Sequence, residues 1–304
     1  MLQVIVNGVA LGAAYALLAL GFVLILNATG AVNFAQGDLV MAGGLLVVAA
    51  SMVWPVPAIV LLPLVLGLMA LLGLALSLLA YFPLKSQPPV AVFISTIAVG
   101  IMLQNTANAL FGAEPRAGPP LLTAGLVELG PVTVSRQALA IIAVAALLIV
   151  VQHVLFRHTR LGRVLRATAQ DREMAEALGI RVNTVIAGTF AFAAAYAGAA
   201  GLLLSNTFFV TPSDGSNYIL KAYIAVVIGG WGSVVGALCG AMVIALFEVV
   251  FPSLPLVLPG LASLPGASWL FSQTMATILL YVVLLAVLVV RPQGLFGETV
   301  QRRA

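Results

Sequence analysis

The polar segment 33–38 interrupts two strongly apolar stretches and holds the first residues that could do chemistry. Its sequence is Asn-Phe-Ala-Gln-Gly-Asp, with Asn33, Gln36 and Asp38 as polar members. Gln36 and Asp38 could cap the next helix or face its first turn, where free N–H groups favour acceptors and anions. Broken helices build solute sites near the midplane of transporters. We therefore expect these three residues in a solute pathway; the alternative is a solvated loop with an acidic N-cap.

A second interruption, residues 229–233, divides the apolar run 219–251, which is too long for one ordinary span of about 20 residues. We expect two short helices here, with Gly229, Gly230 and Ser233 adding backbone and hydroxyl groups to the solute pathway. The two interruptions lie in opposite halves of the chain, as an inverted repeat would place them, although the halves share no convincing sequence match. Gly236 and Gly240 continue the small-residue pattern, which is more simply explained by close helix packing.

The segment 157–182 is the long charged stretch of the chain. Within it, the sequence predicts a short helix with an N-cap at Asp171 and a stop at Gly179. Its apolar residues share one face that the rest of the chain need not bury, which suits docking into a partner's groove. The alternative is a basic loop whose arginines only set topology and touch anionic lipid. The predicted docking residues are Asp171, Arg172, Glu173, Met174, Glu176, Leu178 and Gly179, with Ala175 on the same face.

Isolated polar residues also occur within the apolar runs, namely Tyr15, Asn105, Asn108, Glu248 and Gln273. An ionisable residue inside a membrane is a functional hypothesis by default. Glu248, however, lies only four residues before Pro252 and near the end of its run. We therefore expect it at the membrane interface.

Motifs for catalysis are missing from the sequence. Neither Lys85 nor Lys221 follows a glycine, so the chain has no phosphate loop. It has no metal-ligand cluster, nucleophile elbow or dinucleotide fingerprint, and the single Cys239 has no neighbouring His or Cys. We expect a protein that is not an enzyme, without cofactor, metal or nucleic-acid partner. If it pumps a solute, the energy must come from another chain.

The elements that must position these residues are membrane helices. Of 304 residues, 62% are hydrophobic and only 7% charged, whereas soluble chains carry about 25% charged residues. The apolar positions are continuous instead of alternating, which excludes a barrel. We predict an all-α, polytopic membrane bundle of about 8–9 spans, with broken helices and a single domain over 1–304. The apolar runs are 4–26, 39–54, 58–82, 90–112, 136–156, 183–204, 219–251 and 273–290.

The arginines predict orientation. Six of them lie between Arg157 and Arg181, and the tail carries Arg291, Arg302 and Arg303. The positive-inside rule places both regions in the cytoplasm and segment 113–135 outside. An even number of crossings must then separate Arg181 from Arg291, which again requires the run 219–251 to split. Counting back places the N-terminus outside.

Four motifs resemble those of the LivH-type permeases, the membrane subunits of ABC importers for branched-chain amino acids. Segment 33–38, with Met-Ala-Gly at 41–43, is similar to that family's Asn-Phe-Ala-His-Gly-Glu motif, with Gln36 and Asp38 where many relatives have His and Glu. The other resemblances are to the family's cytoplasmic loop (159–180), its glycine-rich segment (228–237) and its C-terminal ending (291–297). They occur in the family's order over nearly the whole chain.

This resemblance implies partners and a mechanism. The partners are two cytoplasmic ABC ATPases, a second homologous permease, an extracytoplasmic solute-binding protein and the lipid of a bacterial inner membrane. Segment 157–182 becomes the coupling loop, and helix 171–179 the coupling helix on which the ATPases act. The implied solute is a branched-chain or related amino acid, with urea and amides as relatives' other substrates. The alternatives are a self-sufficient channel or ion-coupled carrier that uses Asp38 or Glu248, and a scaffold without transport.

Overall fold

A computed structural model describes residues 2–122, 125–129, 132–263, 266–291 and 293–296. Eight helices in these ranges are long and apolar enough to cross a membrane. Arg302 and Arg303, which entered the orientation prediction, lie outside the described residues, as do Pro292 and Gly297 of the C-terminal motif. The helices are α1 (Leu2–Thr29), α2 (Gln36–Val53), α3 (Ala58–Leu76), α4 (Pro89–Phe111), α5 (Arg136–His158), α6 (Arg160–Gln170), α7 (Arg172–Ala177), α8 (Val182–Ser205), α9 (Gly215–Gly229), α10 (Val234–Val257), α11 (Pro259–Ala262), α12 (Ala267–Leu270) and α13 (Gln273–Val290).

Helices α1 and α8 form the centre of the bundle. They pack against each other, α10 runs along α1, and α3 runs along α8. Most of α1 is buried over its whole circumference, as expected of an apolar helix surrounded by others. Helices α3, α4, α5 and α13 instead leave many leucines and valines exposed. This distribution is that of a membrane bundle, because lipid solvates apolar side chains on the outer surface.

Two re-entrant segments carry the chain back into the bundle. After α1, residues 30–35 turn inward, and Gln36 at the start of α2 donates from Nε2 to the Ala193 carbonyl at 3.1 Å, halfway along α8. After α8, residues 206–214 turn inward in the same way, and α9 begins at Gly215. A side chain on Gly37 would overlap the Gly215 carbonyl. The first turns of α2 and α9 therefore meet inside the bundle, and the prediction of broken helices is confirmed.

The predicted split of run 219–251 is also present, but the prediction of two short helices is wrong for α10, which has 24 residues because the helix continues through Pro252 and Pro255 to Val257. Helix α9 ends at Gly229 and α10 begins at Val234. The intervening Gly230 and Gly232 have positive φ angles of 123° and 80°, which side chains disfavour. Gly236 and Gly240 contact the α9 backbone so closely that neither could carry a side chain, which supports the packing interpretation. With α9 and α10 counted separately, four helical passages separate Arg181 from Arg291.

Strands β1 (Leu126–Leu129) and β2 (Val132–Ser135) form an antiparallel hairpin that the sequence analysis did not predict. It lies in segment 113–135, which we expected outside the membrane. The Ala58 amide at the start of α3 donates to the Pro120 carbonyl at 2.9 Å. The hairpin therefore marks one end of the bundle, where α2 ends and α3 begins, and we call this the hairpin end.

Candidate solute sites and docking surface

The first predicted site surrounds Asp38, which is only 5% exposed. Its Oδ1 accepts a hydrogen bond from Gln104 Nε2 of α4 at 2.7 Å. Gly100 and Gly215 face the carboxylate from α4 and α9, and a side-chain carbon on either would overlap it. The Asp38 carboxylate is therefore enclosed by three helices and packed against backbone.

Asn33 and Gln36 bond within the same enclosed region. Asn33 Oδ1 accepts from the Ala35 amide at 3.1 Å, and Gln36 is fully buried beside α8. Ala35, the N-cap residue of α2, makes no side-chain capping bond, so neither Gln36 nor Asp38 caps the helix. The segment is also not a solvated loop. It joins α1, α2, α4 and α8, and its role in a solute pathway stays a prediction.

The second predicted site, Gly229 to Ser233, lies at the opposite end of α9 from Gly215. Fourteen residues of helix, about 20 Å, separate the two ends, so the structure does not bring the two predicted parts of the pathway together. Ser233 Oγ caps α10 by accepting from the Gly236 amide at 3.0 Å. The last α9 carbonyls are satisfied by the tail, because the Leu295 and Phe296 amides donate to Ile228 and Gly229 at 2.9 and 2.8 Å.

The predicted short helix is α7. Asp171 caps it by accepting from the Met174 amide at 2.9 Å, and Gly179 ends it with a φ of 81°, as the sequence indicated. One part of the prediction is wrong: Ala175 is buried and faces the bundle, and only Met174 and Leu178 of the apolar stripe are exposed.

Arg172 also points inward. It donates from Nη2 to the Ala28 carbonyl in the last turn of α1 at 2.8 Å. On the same turn, Asn27 Nδ2 donates to the Gly232 carbonyl at 3.0 Å. The end of α1 therefore joins α7 to the break between α9 and α10. We define the docking surface as the exposed apolar residues on these connected segments, namely Met174, Leu178, Trp231, Leu295 and Phe296.

A third polar group, not predicted as a unit, is a partly buried ion pair. Lys221 Nζ of α9 lies 2.6 Å from Glu248 Oε1 of α10. Lys221 also donates to the Tyr15 hydroxyl at 2.6 Å, and that hydroxyl donates to Glu248 Oε2 at 3.1 Å. Gln273 Nε2 of α13 completes the set by donating to Glu248 Oε1 at 3.0 Å. The interfacial interpretation of Glu248 is wrong, because this side chain is buried against the middle of α1.

The ion pair, unlike Asp38, faces open space. A cavity of about 280 Å³ is lined by Lys221 and Glu248 together with Asn217 and Tyr218. A wider cavity of about 650 Å³ shares Glu248 and extends to Ser135, the last residue of the hairpin. The two cavities place the ion pair at the inner end of a recess that begins at the hairpin end.

Sequence reasoning found three of these four residues but did not join them. Glu248 lies 27 residues from Lys221 and 233 from Tyr15, so no local pattern relates them. One sequence feature could have suggested the pair. Lys221 and Glu248 carry opposite charges, each is the one charged residue of its apolar stretch, and they lie on either side of the break at 229–233. Among the described residues, no group of three or more His, Cys, Asp or Glu side chains could hold a metal.

Comparison with known proteins agrees with this architecture. The family model described as "Branched-chain amino acid transport system / permease component" matches residues 4–288. The chain is 30% identical to the high-affinity branched-chain amino acid transport system permease protein LivH of Salmonella typhimurium, over 98% of this chain and 96% of that one. It is 29% identical to the corresponding protein BraD of Pseudomonas aeruginosa, with the same coverage.

Among solved structures, PsaBC from Streptococcus pneumoniae in complex with Fab covers 94% of this chain and 91% of its own, with 14% identity and a TM-score of 0.49. That likeness is too weak to inform function. The sequence relatives and the family model instead span nearly the whole chain, and the eight apolar helices make it a multi-pass membrane protein. The chain belongs to the family of permease components of branched-chain amino acid transport systems.

Proposed function

We propose that this chain is the membrane-spanning permease subunit of an ABC importer that carries branched-chain amino acids into the cell. Residues 1–304 form one permease domain in the bacterial inner membrane, with the C-terminus in the cytoplasm. Family membership supports the solute class, and the arginines of segment 157–182 support the orientation. The observation that carries the energy coupling is α7, a capped helix fastened to α1 with Met174 and Leu178 exposed.

The proposed partners follow from the two ends of the bundle. Two ABC ATPases hydrolyse ATP, for which this chain has no nucleotide-binding motif. An ATPase binds the permease at the docking surface. Asp171, Glu173, Glu176 and Gly179 shape the coupling helix, whereas Arg172 holds it to α1. A solute-binding protein delivers the amino acid at the hairpin end. A second, homologous permease completes the membrane part.

The proposed mechanism is alternating access. Closure of the ATPases on ATP moves α7, and the Arg172–Ala28 bond transmits that displacement to α1. Helix α1 packs on α8, α9 and α10, so its movement changes the contacts among the helices around both re-entrant segments. The bundle then opens to alternate sides of the membrane.

The proposed pathway retains the residues predicted from sequence. Asn33, Gln36 and Asp38 lie at the junction of α2 and α9, and their close packing requires these helices to separate before a solute can reach them. Gly229, Gly230 and Ser233 lie beside the end of α1, at the cytoplasmic exit. The pathway in this proposal runs between these two groups, along α9.

The test is purification of the tagged chain from mild detergent, with mass spectrometry of the proteins that accompany it. We expect an ABC ATPase and a second permease. Leu178→Asp places a charge on the docking surface and should remove at least nine-tenths of the ATPase. The matched control is Leu126→Asp, which alters an exposed leucine at the hairpin end and should leave the ATPase bound. A chain that purifies alone and still moves solute in liposomes would overturn the proposal.

A further inference from the structure

We propose that Lys221 and Glu248 bind the two charged groups of an α-amino acid zwitterion within the membrane. The Lys221 ammonium takes the solute carboxylate, and the Glu248 carboxylate takes the solute ammonium. This inference rests on the proposed function and names the part of the pathway that recognises its solute.

The first support is the energetic cost of the pair. Desolvating two charges often costs more than their attraction returns, so apolar residues of similar size would serve stability as well or better. Ionisable residues inside membrane segments are rare and mark solute or ion pathways. Lys221 and Glu248 lie in helices that are otherwise uncharged. Stability alone therefore does not explain the pair.

The second support is charge balance. The ion pair offers one positive and one negative group, and an α-amino acid carries one of each at neutral pH. A second carboxylate, that of Asp214, also lines the cavity of about 280 Å³, and its Oδ2 accepts a hydrogen bond from the Thr211 amide at 2.6 Å. When the solute enters, one ion pair becomes two, and no net charge enters the apolar interior. An anion or a cation alone would leave one protein charge without its partner, which is strongly unfavourable in a low dielectric. The pair therefore selects for a zwitterion over either singly charged analogue.

The third support is the geometry of the cavity. Lys221 and Glu248 retain 21% and 9% of their side-chain surface exposed, so both remain accessible from the cavity of about 280 Å³. That volume is just below the range of about 300–1,000 Å³ for drug-sized ligands, which fits a solute as small as an amino acid. Apolar side chains line the cavity as well, including Leu204, Phe208 and Leu280. One cavity thus offers charged groups for the amino acid backbone and an apolar wall for a branched side chain.

The fourth support is access. The wider cavity reaches Glu248 from the hairpin end, and Glu248 is the one charged residue among the described residues that line it. Its polar lining consists of neutral side chains such as Gln3, Asn7 and Gln137. A zwitterion entering there meets no charged group that would retain it before the ion pair.

Tyr15 and Gln273 are positioning residues in this site. Both donate to Glu248, one to each carboxylate oxygen. They hold the carboxylate in place when Lys221 turns towards the solute, and their bonds keep Glu248 from being left without a donor.

The first test uses the double variant Lys221→Met/Glu248→Leu, which removes both charges and leaves neither unpaired. In the complete complex reconstituted in liposomes, we expect ATPase assembly to be retained and ATP-dependent leucine uptake to fall at least tenfold. Lys85→Met is the control, because Lys85 is exposed and bonds to the exposed Asn183 at the other end of the bundle, and it should transport normally. Uptake by the double variant within twofold of wild type would overturn the inference. A wild-type complex that takes up no leucine would instead overturn the proposed function.

The second test does not depend on how the double variant folds. With exposed Cys239 replaced by serine, Thr277→Cys places a thiol in the cavity wall. We expect millimolar leucine to slow modification by a charged thiol reagent at least threefold in the purified complex. Leucinamide lacks the carboxylate and 4-methylpentanoate lacks the ammonium, and neither should protect. Equal protection by all three, or by none, would overturn the inference.

Discussion

The region around Asp38 and the region around Glu248 are both polar islands in apolar helices, but they are built in opposite ways. Asp38 has one amide partner and is enclosed by glycine backbone from α4 and α9. Glu248 has a lysine, a tyrosine and a glutamine as partners, and it faces two cavities. The Asp38 region holds α2, α4 and α9 in close contact, whereas the Glu248 region leaves open space beside a charged group.

This contrast separates two reasons for placing polar groups in a membrane. At Asp38 the helices approach closely at small residues. Membrane helices commonly pack in this way, because lipid is as apolar as their side chains and the hydrophobic effect does not drive them together. At Glu248 the large side chains of four helices meet without filling the space between them. Changes that add volume should therefore damage the first region, whereas changes that unbalance charge should damage the second.

The largest effect is expected from Glu248→Leu alone. Lys221 then keeps a partly buried charge without its carboxylate partner, and the free energy of unfolding should fall by up to about 3–5 kcal/mol, the loss for a fully buried pair. The double variant Lys221→Met/Glu248→Leu should recover most of that loss. Unfolding in mixed micelles with increasing SDS measures both. Equal losses in the single and double variants would contradict the charge-balance explanation.

A comparable but smaller loss is expected from Gly215→Ala. The added carbon would overlap the Asp38 carboxylate, and overpacking costs about 1–3 kcal/mol where the backbone must shift. Gly67→Ala in α3 is the matched control, because a side chain there meets nothing within 4 Å and alanine favours helix. The same SDS titration compares them. A Gly215→Ala protein as stable as Gly67→Ala would show that the junction of α2 and α9 is loosely packed.

Asp38→Ala should cost about 1–3 kcal/mol, because it removes the short hydrogen bond from Gln104 Nε2 and leaves that donor only the longer contact to Ser216 Oγ at 3.4 Å. Asp38→Asn should cost less, since its amide oxygen can still accept from Gln104 Nε2. Leucine uptake by the stable Asp38→Asn complex then reports separately on the proposed pathway role. If alanine and asparagine destabilise equally, the carboxylate charge and not the hydrogen bond holds the junction.

The smallest effect is expected from Gly179→Ala at the end of α7. The space around Gly179 is open, but its φ of 81° disfavours any side chain, and we expect a cost of about 1–2 kcal/mol. The local loss should appear as faster amide hydrogen exchange in residues 172–178 with little change in α2 or α9. Unchanged exchange in α7 would mean that docking contacts, and not the glycine, fix the end of this helix.

Much of the fold followed from sequence because it depends on local patterns. Continuous apolar runs predicted the eight spans, the glycines at 229–232 predicted the split before α10, and Asp171 with Gly179 predicted α7. The second re-entrant segment, 206–214, was not predicted. Its Thr-Pro-Ser-Asp-Gly sequence at 211–215 marks a helix break, but a break alone does not show that the chain turns inward, which depends on the packing of α9 against α2.

The candidate sites were less predictable because they depend on contacts between distant residues. The ion pair joins α9 and α10, and Tyr15 meets it from the far end of the sequence. The inward face of α7 was assigned wrongly at Ala175 because helical spacing alone cannot tell which side a neighbouring helix covers. The packing of α1 against α10 and against α7 determines both the partners of the ion pair and the buried face of α7.

The length of α1 has a mechanical consequence. Thirteen residues, or about 20 Å of unbroken helix, connect Ala28 with Tyr15. Because the hydrogen-bonded backbone of a helix resists stretching far better than a chain of side-chain contacts, α1 can act as a stiff connecting rod. In the proposed mechanism, a displacement of α7 that reaches α1 through the Arg172–Ala28 bond would be carried along the helix to the level of Tyr15. Movement at the docking surface would then shift the Tyr15 hydroxyl, and with it the hydrogen bonds of the ion pair, by the movement of one helix.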